Sequence, residues 1–173
     1  AVAFAKREEL DGRFLDTSRD GFAMAMDISV YSLVSLVRAC EGLLKNAEDG
    51  ASVLTLSYYG GEKAVPNYNV MGVAKAALES AVRYLALDLG RDGIRVNAIS
   101  SGAIKTLSAA GIKGMRSQLS MIGEQTPLGR NVTIDDVGKA GLFALSDLGS
   151  GMTGEVFHVD AGYHALGAYR ADS

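Results

Sequence analysis

The stretch ASVLTLSYYGGEKAVPNYNVMGVAKAALESAVRYLALDLGRDGIRVNAIS, residues 51–100, carries the signals that decide the fold. Ser52–Ser57 is a short apolar run without clear alternation, which is typical of a strand covered on both faces. Tyr68–Leu89 has apolar residues at helical spacing, and Gly90 suits the cap that ends such a helix. Ile94–Ser100 is a second short strand. Strand, long helix and strand in this order predict a parallel pair joined by a right-handed crossover.

Upstream of this unit the sequence predicts one more strand and one more helix. Ala1–Ala5 is an apolar run, which we interpret as the end of a buried strand. Thr17-x-x-Asp20 resembles a capping box. Apolar residues at spacings of three and four then predict a helix from about Asp20 to Lys45.

Downstream, the alternation of helices and strands continues. Ser101–Gln125 predicts a loop with a weak helix. Thr133-x-x-Asp136 is a second candidate capping box, opening a helix that runs through Leu145. Glu155–Val159 predicts a final strand. The whole pattern indicates an α/β fold with a parallel sheet between helices.

The composition fits one globular domain, residues 1–173, with a net charge of −3 and 48% hydrophobic residues. A single cysteine, Cys40, excludes an intrachain disulfide and favours a cytoplasmic location. The sequence shows no basic footprint for nucleic acid, no membrane span and no export signal. Because the chain opens on Ala1 rather than Met, we expect a piece of a longer chain.

Two patterns that suggest ligand sites are interpreted as structural. His158 and His164 are too few for a histidine-based metal site, so no metal is expected. Residues 149–154 fit G-x-G-x-x-G by letter, but a helix precedes them and a strand follows. A phosphate-binding loop has the opposite order, so we interpret this stretch as a Gly-rich turn.

The chemistry-bearing residues gather where the first strand of this stretch ends. Tyr58 stands at the carboxyl end of that strand, the edge where open α/β sheets bind ligands. Tyr68 and Lys75 lie seven residues apart and share one face of a helix. An ammonium near the phenol is expected to lower the tyrosine pKa and to aid proton or hydrogen-bond donation. An ordinary surface pair would have the same spacing.

A rival pair, Tyr59 and Lys63, has the Y-x-x-x-K spacing of many short-chain reductases. Two glycines lie between these residues, and they argue against the helix that such a spacing requires. We therefore interpret Tyr59 and Lys63 as loop residues.

The segment LSYYGGEKAVPNYNVMGVAKAALE resembles the active-site segment of bacterial NADH-dependent enoyl-acyl-carrier-protein reductases. This family is a divergent branch of the short-chain dehydrogenases/reductases, with Y-x6-K in place of Y-x-x-x-K. RVNAISSGAIKTL, residues 95–107, resembles its next strand and cofactor loop, and GEVFHVDAG, residues 154–162, its closing strand. The resemblance implies the carboxyl-terminal part of a Rossmann-type, doubly wound parallel sheet, with the amino-terminal half lacking.

The resemblance assigns catalytic roles to Tyr58, Tyr68 and Lys75, with Lys75 also bonding the nicotinamide ribose. Tyr58, Tyr68 and Met71 would line the substrate pocket, and Ala5 would contact the substrate through its backbone. The stretch from Leu107 to about Met121 would form a mobile substrate-binding lid. The remaining cofactor contacts would come from Val2, Ile104, Lys105, Thr106, Leu107 and Ser108.

The implied reaction is reduction of the trans-2 double bond of an enoyl thioester on acyl carrier protein, in fatty-acid elongation. NADH is the expected cofactor, with NADPH not excluded, and the expected assembly is a homotetramer packed through the two long helices. Ala103 stands where the family usually has Pro, and the Gly-rich phosphate loop is not in this sequence. Two alternatives stay open: a short-chain reductase acting on a ketone or alcohol, and an inactive or oligomer-forming fragment.

Overall fold

The computed structural model describes residues 2–104 and 115–168 of the chain. Its strands are β1 (Ala51–Tyr58), β2 (Ile94–Ser101) and β3 (Val156–Val159). Its α-helices are α1 (Arg19–Met26), α2 (Ser32–Lys45), α3 (Asn69–Leu89), α4 (Met115–Gln125) and α5 (Ile134–Leu145). The α/β alternation predicted from residue 51 onward is confirmed.

The three strands form one parallel sheet in the order β1-β2-β3. Tyr58 lies opposite Ser101, and Ser101 lies opposite Val159, so the three strands end side by side. The segments that follow them therefore start from one edge of the sheet, where parallel α/β sheets bind ligands.

Helices cover both faces of the sheet. On one face α2 and α3 pack against alternate strand residues, and this core contains Leu33, Val37, Leu78, Val82, Ala86, Leu89, Ile94, Val96 and Ala98. On the other face Ser52 Oγ and Arg95 Nη1 donate to the Ala144 carbonyl near the end of α5, at 3.2 and 2.7 Å. Burial from two sides explains why the strands lack alternation.

The long helix predicted from Asp20 to Lys45 contains a π-helical turn at Asp27–Tyr31, between α1 and α2. Ser29 in this turn is buried, and its hydroxyl accepts from Phe4 N at 3.0 Å and contacts Phe4 O at 3.3 Å. Residues 2–5 are not in a strand, so over these described residues the strand prediction for Ala1–Ala5 is wrong. The backbone N–H and carbonyl of Phe4 bond the Ser29 hydroxyl instead.

One of the predicted helix caps is wrong by one residue. Ser18, not Thr17, caps α1, and its hydroxyl accepts from Gly21 N at 2.9 Å while its own groups donate to Glu9. Gly90 caps the end of α3 as predicted, with its N–H bonded to Ala86 O. A 3₁₀ turn follows and ends at Gly93 in the left-handed region. The capping box of Thr133 and Asp136 is confirmed.

One helical run among the described residues, Arg19–Lys45, is long and apolar enough to cross a membrane by length and composition. Core helices of soluble proteins meet the same criterion. Leu33 and Val37 in this run are buried against the sheet, as in such a core helix. The absence of a membrane partner stays a prediction.

The Gly-rich stretch 149–154 follows α5 and leads into β3, as the sequence predicts for a structural turn. Asn97 on β2 is fully buried and holds this turn from both sides. Its Nδ2 donates to Met152 O at 2.9 Å, and its Oδ1 accepts from Glu155 N at 3.0 Å. One amide side chain thus links β2 to the start of β3.

Replacing Asn97 with Ala should lower the free energy of unfolding by about 1–3 kcal/mol, because two buried backbone groups lose their partner. Denaturant unfolding of the complete protein measures this loss. Asn46→Ala, the same change at an exposed position, should stay within about 0.5 kcal/mol of the parent. Equal effects of the two changes would contradict the role given to Asn97.

Candidate active site

Two tyrosine rings meet at the carboxyl end of β1. Tyr58 is the last residue of the strand, and Tyr68 immediately precedes α3. Their ring centroids are 4.8 Å apart with an interplanar angle of 63°, an edge-to-face contact. The structure therefore brings together the two tyrosines that the sequence places in the active site.

Gly60 allows this contact. It lies in the 3₁₀ turn Tyr59–Gly61 that follows β1. A Cβ on Gly60 would stand 2.4 Å from Cδ1 of Tyr68, closer than carbon atoms approach. Gly60 and Gly61, the two glycines between Tyr59 and Lys63, thus have a structural role: without side chains, they let this turn pack directly on α3.

The backbone on both sides of Tyr68 is in the left-handed region. Asn67 has φ of 60° and Asn69 has φ of 24°. Asparagine tolerates this region better than other residues with side chains, and the amide of Asn69 donates to the Gly12 carbonyl at 3.2 Å. Local strain of this kind persists where surrounding contacts over-determine it, and here it fixes the position of the Tyr68 ring.

Lys75 lies on α3, and only 7% of its surface is exposed. Its Nζ donates to the carbonyl oxygen of Leu56 in β1 at 2.8 Å, which holds the ammonium near the end of the strand. Burial lowers the pKa of Lys75, and the nearby Glu79 carboxylate raises it. The side chain reaches the same strand end as the two tyrosines.

The predicted fall in the pKa of Tyr68 is wrong. Burial raises the pKa of Tyr68, and the neighbouring Tyr58 raises it further. Burial likewise raises the pKa of Tyr58. Helical spacing places Lys75 on the expected face of the helix, but the Tyr68 phenol is buried, and desolvation disfavours its charged form. Both tyrosines are therefore neutral hydrogen-bond donors at physiological pH.

The other predicted site residues are distributed more widely. Met71 is buried in the first turn of α3, and Ile104 is half-buried a few residues after β2. Val2 is exposed, whereas Ala5 is half-buried beside the segment that Ser29 holds. The predicted cofactor residues Lys105, Thr106, Leu107 and Ser108 lie outside the described residues, as does the predicted lid before Met115.

A small cavity joins the three strand ends. It is lined by Tyr58 at the end of β1 and Tyr59 after it, by Gly102 and Ala103 after β2, and by Asp160 after β3. A Cβ on Gly102 would stand 2.9 Å from the Asp160 Cα, so these loops are in direct contact. Ala103, where the family usually has Pro, takes part in this wall.

A second group of polar residues lies at the same strand ends, and sequence reasoning did not single it out for a role. Ser57 Oγ donates to Glu79, and His158 pairs with Glu62. The rings of His158 and His164 stack at 3.9 Å, and His164 Nδ1 lies 3.0 Å from the Asp160 carboxylate. Among the described residues, no group of three or more His, Cys, Asp or Glu side chains could hold a metal. The one available signal was that Glu79 follows Lys75 by one helical turn.

The chain fits the ribose end of a nicotinamide cofactor. The Lys75 ammonium has three N–H donors, and one of them bonds the Leu56 carbonyl at the sheet edge where such ligands bind. The other two could bond the ribose hydroxyls. The Gly-rich stretch 149–154 does not fit the pyrophosphate, because it leads into a strand and not into a helix N-terminus.

The parallel sheet between helices, with a tyrosine pair and a lysine at its carboxyl edge, is the arrangement of a Rossmann-type fold of the short-chain dehydrogenase/reductase class. A family model described as Enoyl-(Acyl carrier protein) reductase matches residues 1–164. The chain belongs to this family.

Individual relatives agree with this placement. The chain is 57% identical over 173 residues to enoyl-[acyl-carrier-protein] reductase [NADH] 1 of Rhizobium meliloti, covering 100% of this chain and 62% of that protein. It is 55% identical over 166 residues to a Staphylococcus aureus enoyl-[acyl-carrier-protein] reductase [NADPH], covering 96% of this chain and 64% of that one. The chain thus spans less than two thirds of the length of these relatives.

A solved structure shares the fold closely. The Anaplasma phagocytophilum reductase in complex with NAD superposes with a TM-score of 0.91 at 50% sequence identity. The match covers 99% of this chain and 62% of that one.

Replacing Gly60 with Ala should separate the two tyrosine rings, because the added Cβ would occupy the place of the Tyr68 ring edge. We expect a weaker near-ultraviolet circular dichroism signal and a loss of about 1–3 kcal/mol in unfolding free energy from overpacking. Gly151→Ala, which adds the same methyl group to open space, is the control. An unchanged spectrum in Gly60→Ala would argue against the close packing.

Proposed function

We propose that the complete protein reduces the trans-2 double bond of an enoyl thioester carried on acyl carrier protein, the last step of fatty-acid elongation. The observation that supports this most directly is the convergence of Tyr58, Tyr68 and Lys75 on the end of β1. Their order and spacing are those of the family to which the chain belongs. A ketone-reducing relative would instead use a strand-end serine with Y-x-x-x-K.

The neutral state of Tyr68 suits this reaction. NADH, when bound, supplies a hydride to the β-carbon of the substrate. Negative charge would then develop on the thioester oxygen as an enolate, to which the phenol of Tyr68 would donate a hydrogen bond. Uptake of a proton from solvent at the α-carbon would complete the reduction. Burial raises the pKa of Tyr68, so the proton stays available across the physiological range. A donor that binds the developing charge more strongly than the ground state lowers the barrier.

Lys75 and Tyr58 would assist this hydride transfer in different ways. Lys75 would hold the nicotinamide ribose with the donors that Leu56 leaves available, and its positive charge would favour the developing anion. Tyr58 makes an edge-to-face contact with the Tyr68 ring and would orient the thioester. Met71, buried in the first turn of α3, would line the pocket near the nicotinamide.

We propose NADH as the cofactor and the cytoplasm as the location. The Rhizobium meliloti relative is named for NADH and the Staphylococcus aureus relative for NADPH. A direct comparison of the two nucleotides in the assay below decides between them.

The proposed assembly is a homotetramer in which α2 and α3 pack against other subunits. Both helices carry large apolar side chains on their outer surface, such as Leu43, with 77% exposed, and Leu87, with 76% exposed. Apolar patches of this kind mark contact surfaces.

Replacing Tyr68 with Phe in the complete protein should lower turnover by about 10²–10³-fold, the usual cost of one lost oxyanion donor. NADH affinity should change little, since the phenol acts on the substrate. NADH oxidation with a crotonyl thioester measures the first quantity, and fluorescence titration measures the second. Tyr84→Phe removes the same atom from an exposed position on α3 and should leave turnover unchanged.

Each other outcome has a defined meaning. Equal losses of turnover and NADH affinity in Tyr68→Phe would contradict the role given to Tyr68. Turnover of a ketone, with none of the enoyl thioester, would replace the proposed function by its nearest alternative. A larger loss in Tyr58→Phe than in Tyr68→Phe would transfer the donor role to Tyr58.

Replacing Leu87 with Glu should shift the protein to smaller species in sedimentation velocity. Each buried leucine contributes about 1.5–3 kcal/mol to an interface, and a buried carboxylate would add a penalty. Leu15→Glu makes the same change at a leucine that is 77% exposed near the start of the chain. A tetramer that survives Leu87→Glu would place the interface elsewhere.

A further inference from the structure

Glu79 is a buried carboxylate directly behind the catalytic lysine. It lies on α3, four residues after Lys75, and both side chains are only 7% exposed. Four residues make about one helical turn, so the two side chains point to one side of the helix. That side faces β1, where Lys75 bonds the carbonyl of Leu56.

Glu79 bonds the next residue of the same strand. The hydroxyl of Ser57 donates to its Oε1, and Ser57 directly precedes Tyr58. Lys75 and Glu79 therefore bind two successive residues of β1, just before the active-site tyrosine. The turn after the strand closes over this pair, because a Cβ on Gly61 would stand 2.8 Å from the Glu79 carboxylate.

The surroundings of Glu79 mix both signs of charge. Ser57 faces it from β1, Glu62 from the turn after β1, His158 from β3, and Arg83 from its own helix. Burial raises the pKa of Glu79, the Ser57 hydrogen bond lowers it, Glu62 raises it, and Arg83 and His158 lower it. Burying a carboxylate is costly unless its charge is compensated.

Lys75 is a buried cation, and its charge needs compensation in the same way. Burial lowers its pKa, and Glu79 is the charged group that acts in the opposite direction. Burial raises the pKa of Tyr58 and of Tyr68, so these two tyrosines bring no negative charge to this strand end near neutral pH. The Glu79 carboxylate thus favours the ammonium form of Lys75.

We propose that Glu79 is a positioning residue of the active site, which keeps Lys75 charged for the cofactor ribose and holds Ser57 so that Tyr58 keeps its place. This inference rests on the proposed function of Lys75. It assigns Glu79 no contact with substrate or cofactor, and its effect passes through the two residues that it touches or faces.

The test measures the NADH dissociation constant of the complete protein between pH 6.5 and 9.5. In the parent, binding weakens on the alkaline side as Lys75 loses its proton. Glu79→Gln keeps an oxygen acceptor for Ser57 but removes the charge, so Lys75 should lose its proton at lower pH. We call the pH range over which NADH binding weakens on the alkaline side the alkaline limb, and we expect it to move to lower pH by about one unit. A merely structural role would weaken binding at every pH and leave the limb in place.

Two control variants separate charge from packing. Glu62→Gln also removes one negative charge, but Glu62 pairs with His158 rather than with Lys75, and its limb should match that of the parent. Ser57→Ala removes the hydrogen bond and keeps the carboxylate, so it should lower turnover without moving the limb. If Glu79→Gln does not fold, Glu79→Asp takes its place, and its carboxylate, more distant from Lys75, should move the limb by a smaller amount in the same direction.

Failure of this inference can be told apart from failure of the proposed function. If Lys75→Met binds NADH as the parent does, the role proposed for Lys75 is wrong. If Lys75→Met loses binding while the limb of Glu79→Gln overlays that of the parent, only the role of Glu79 is wrong. A shift in Glu62→Gln as large as that in Glu79→Gln would also overturn it.

Discussion

The attachment of α3 to the last residues of β1 is the interaction on which the rest of the site depends. Lys75 and Glu79 reach from the helix to Leu56 and Ser57 on the strand. Both are charged and buried, so moving either away from its partner would leave a desolvated charge uncompensated. This penalty resists sliding of α3 along its own axis as well as movement across the sheet. Apolar packing alone resists such sliding less, because the hydrophobic effect is non-directional. The start of α3, and Tyr68 with it, is placed by this attachment.

Several local features follow from that constraint. A helix held this close to the strand leaves little room for the turn between them, and the turn contains Gly60 and Gly61, whose missing side chains would meet Tyr68 and Glu79. Tyr68 must then turn back toward Tyr58 within very few residues. The backbone achieves this with positive φ at Asn67 and Asn69, a local cost that the fixed helix and strand can bear.

The sequence predicts much of the fold because its strongest signals are local. β1, α3, β2 and the capping box of Thr133 depend on periodicity and nearby side chains, and they match the structure. The strand predicted at Ala1–Ala5 is absent over residues 2–5, because an apolar run becomes a strand only beside a partner strand, and the described contact of Phe4 is with Ser29, 25 residues away. Thr17 and Ser18 are both suitable caps, and the choice falls to Ser18, which Glu9 holds from outside the helix. The site divides in the same way: spacing places Tyr68 and Lys75 on one face, whereas the bond from Ser57 to Glu79 spans 22 residues and depends on how helix and strand pack.

The pKa of Tyr68 shows why packing matters to the chemistry. From spacing alone, a lysine near a phenol favours the phenolate. In the folded chain the phenol is enclosed by Tyr58 and the turn at Gly60, and Lys75 is bound to the strand, so burial dominates and the neutral form is favoured. A phenolate can only accept a hydrogen bond, but a neutral phenol can donate one to an oxygen that is gaining charge. The packing that raises the pKa of Tyr68 therefore keeps this phenol protonated, as the proposed reduction requires. Lys75 would supply positive charge at the site without removing the proton from Tyr68.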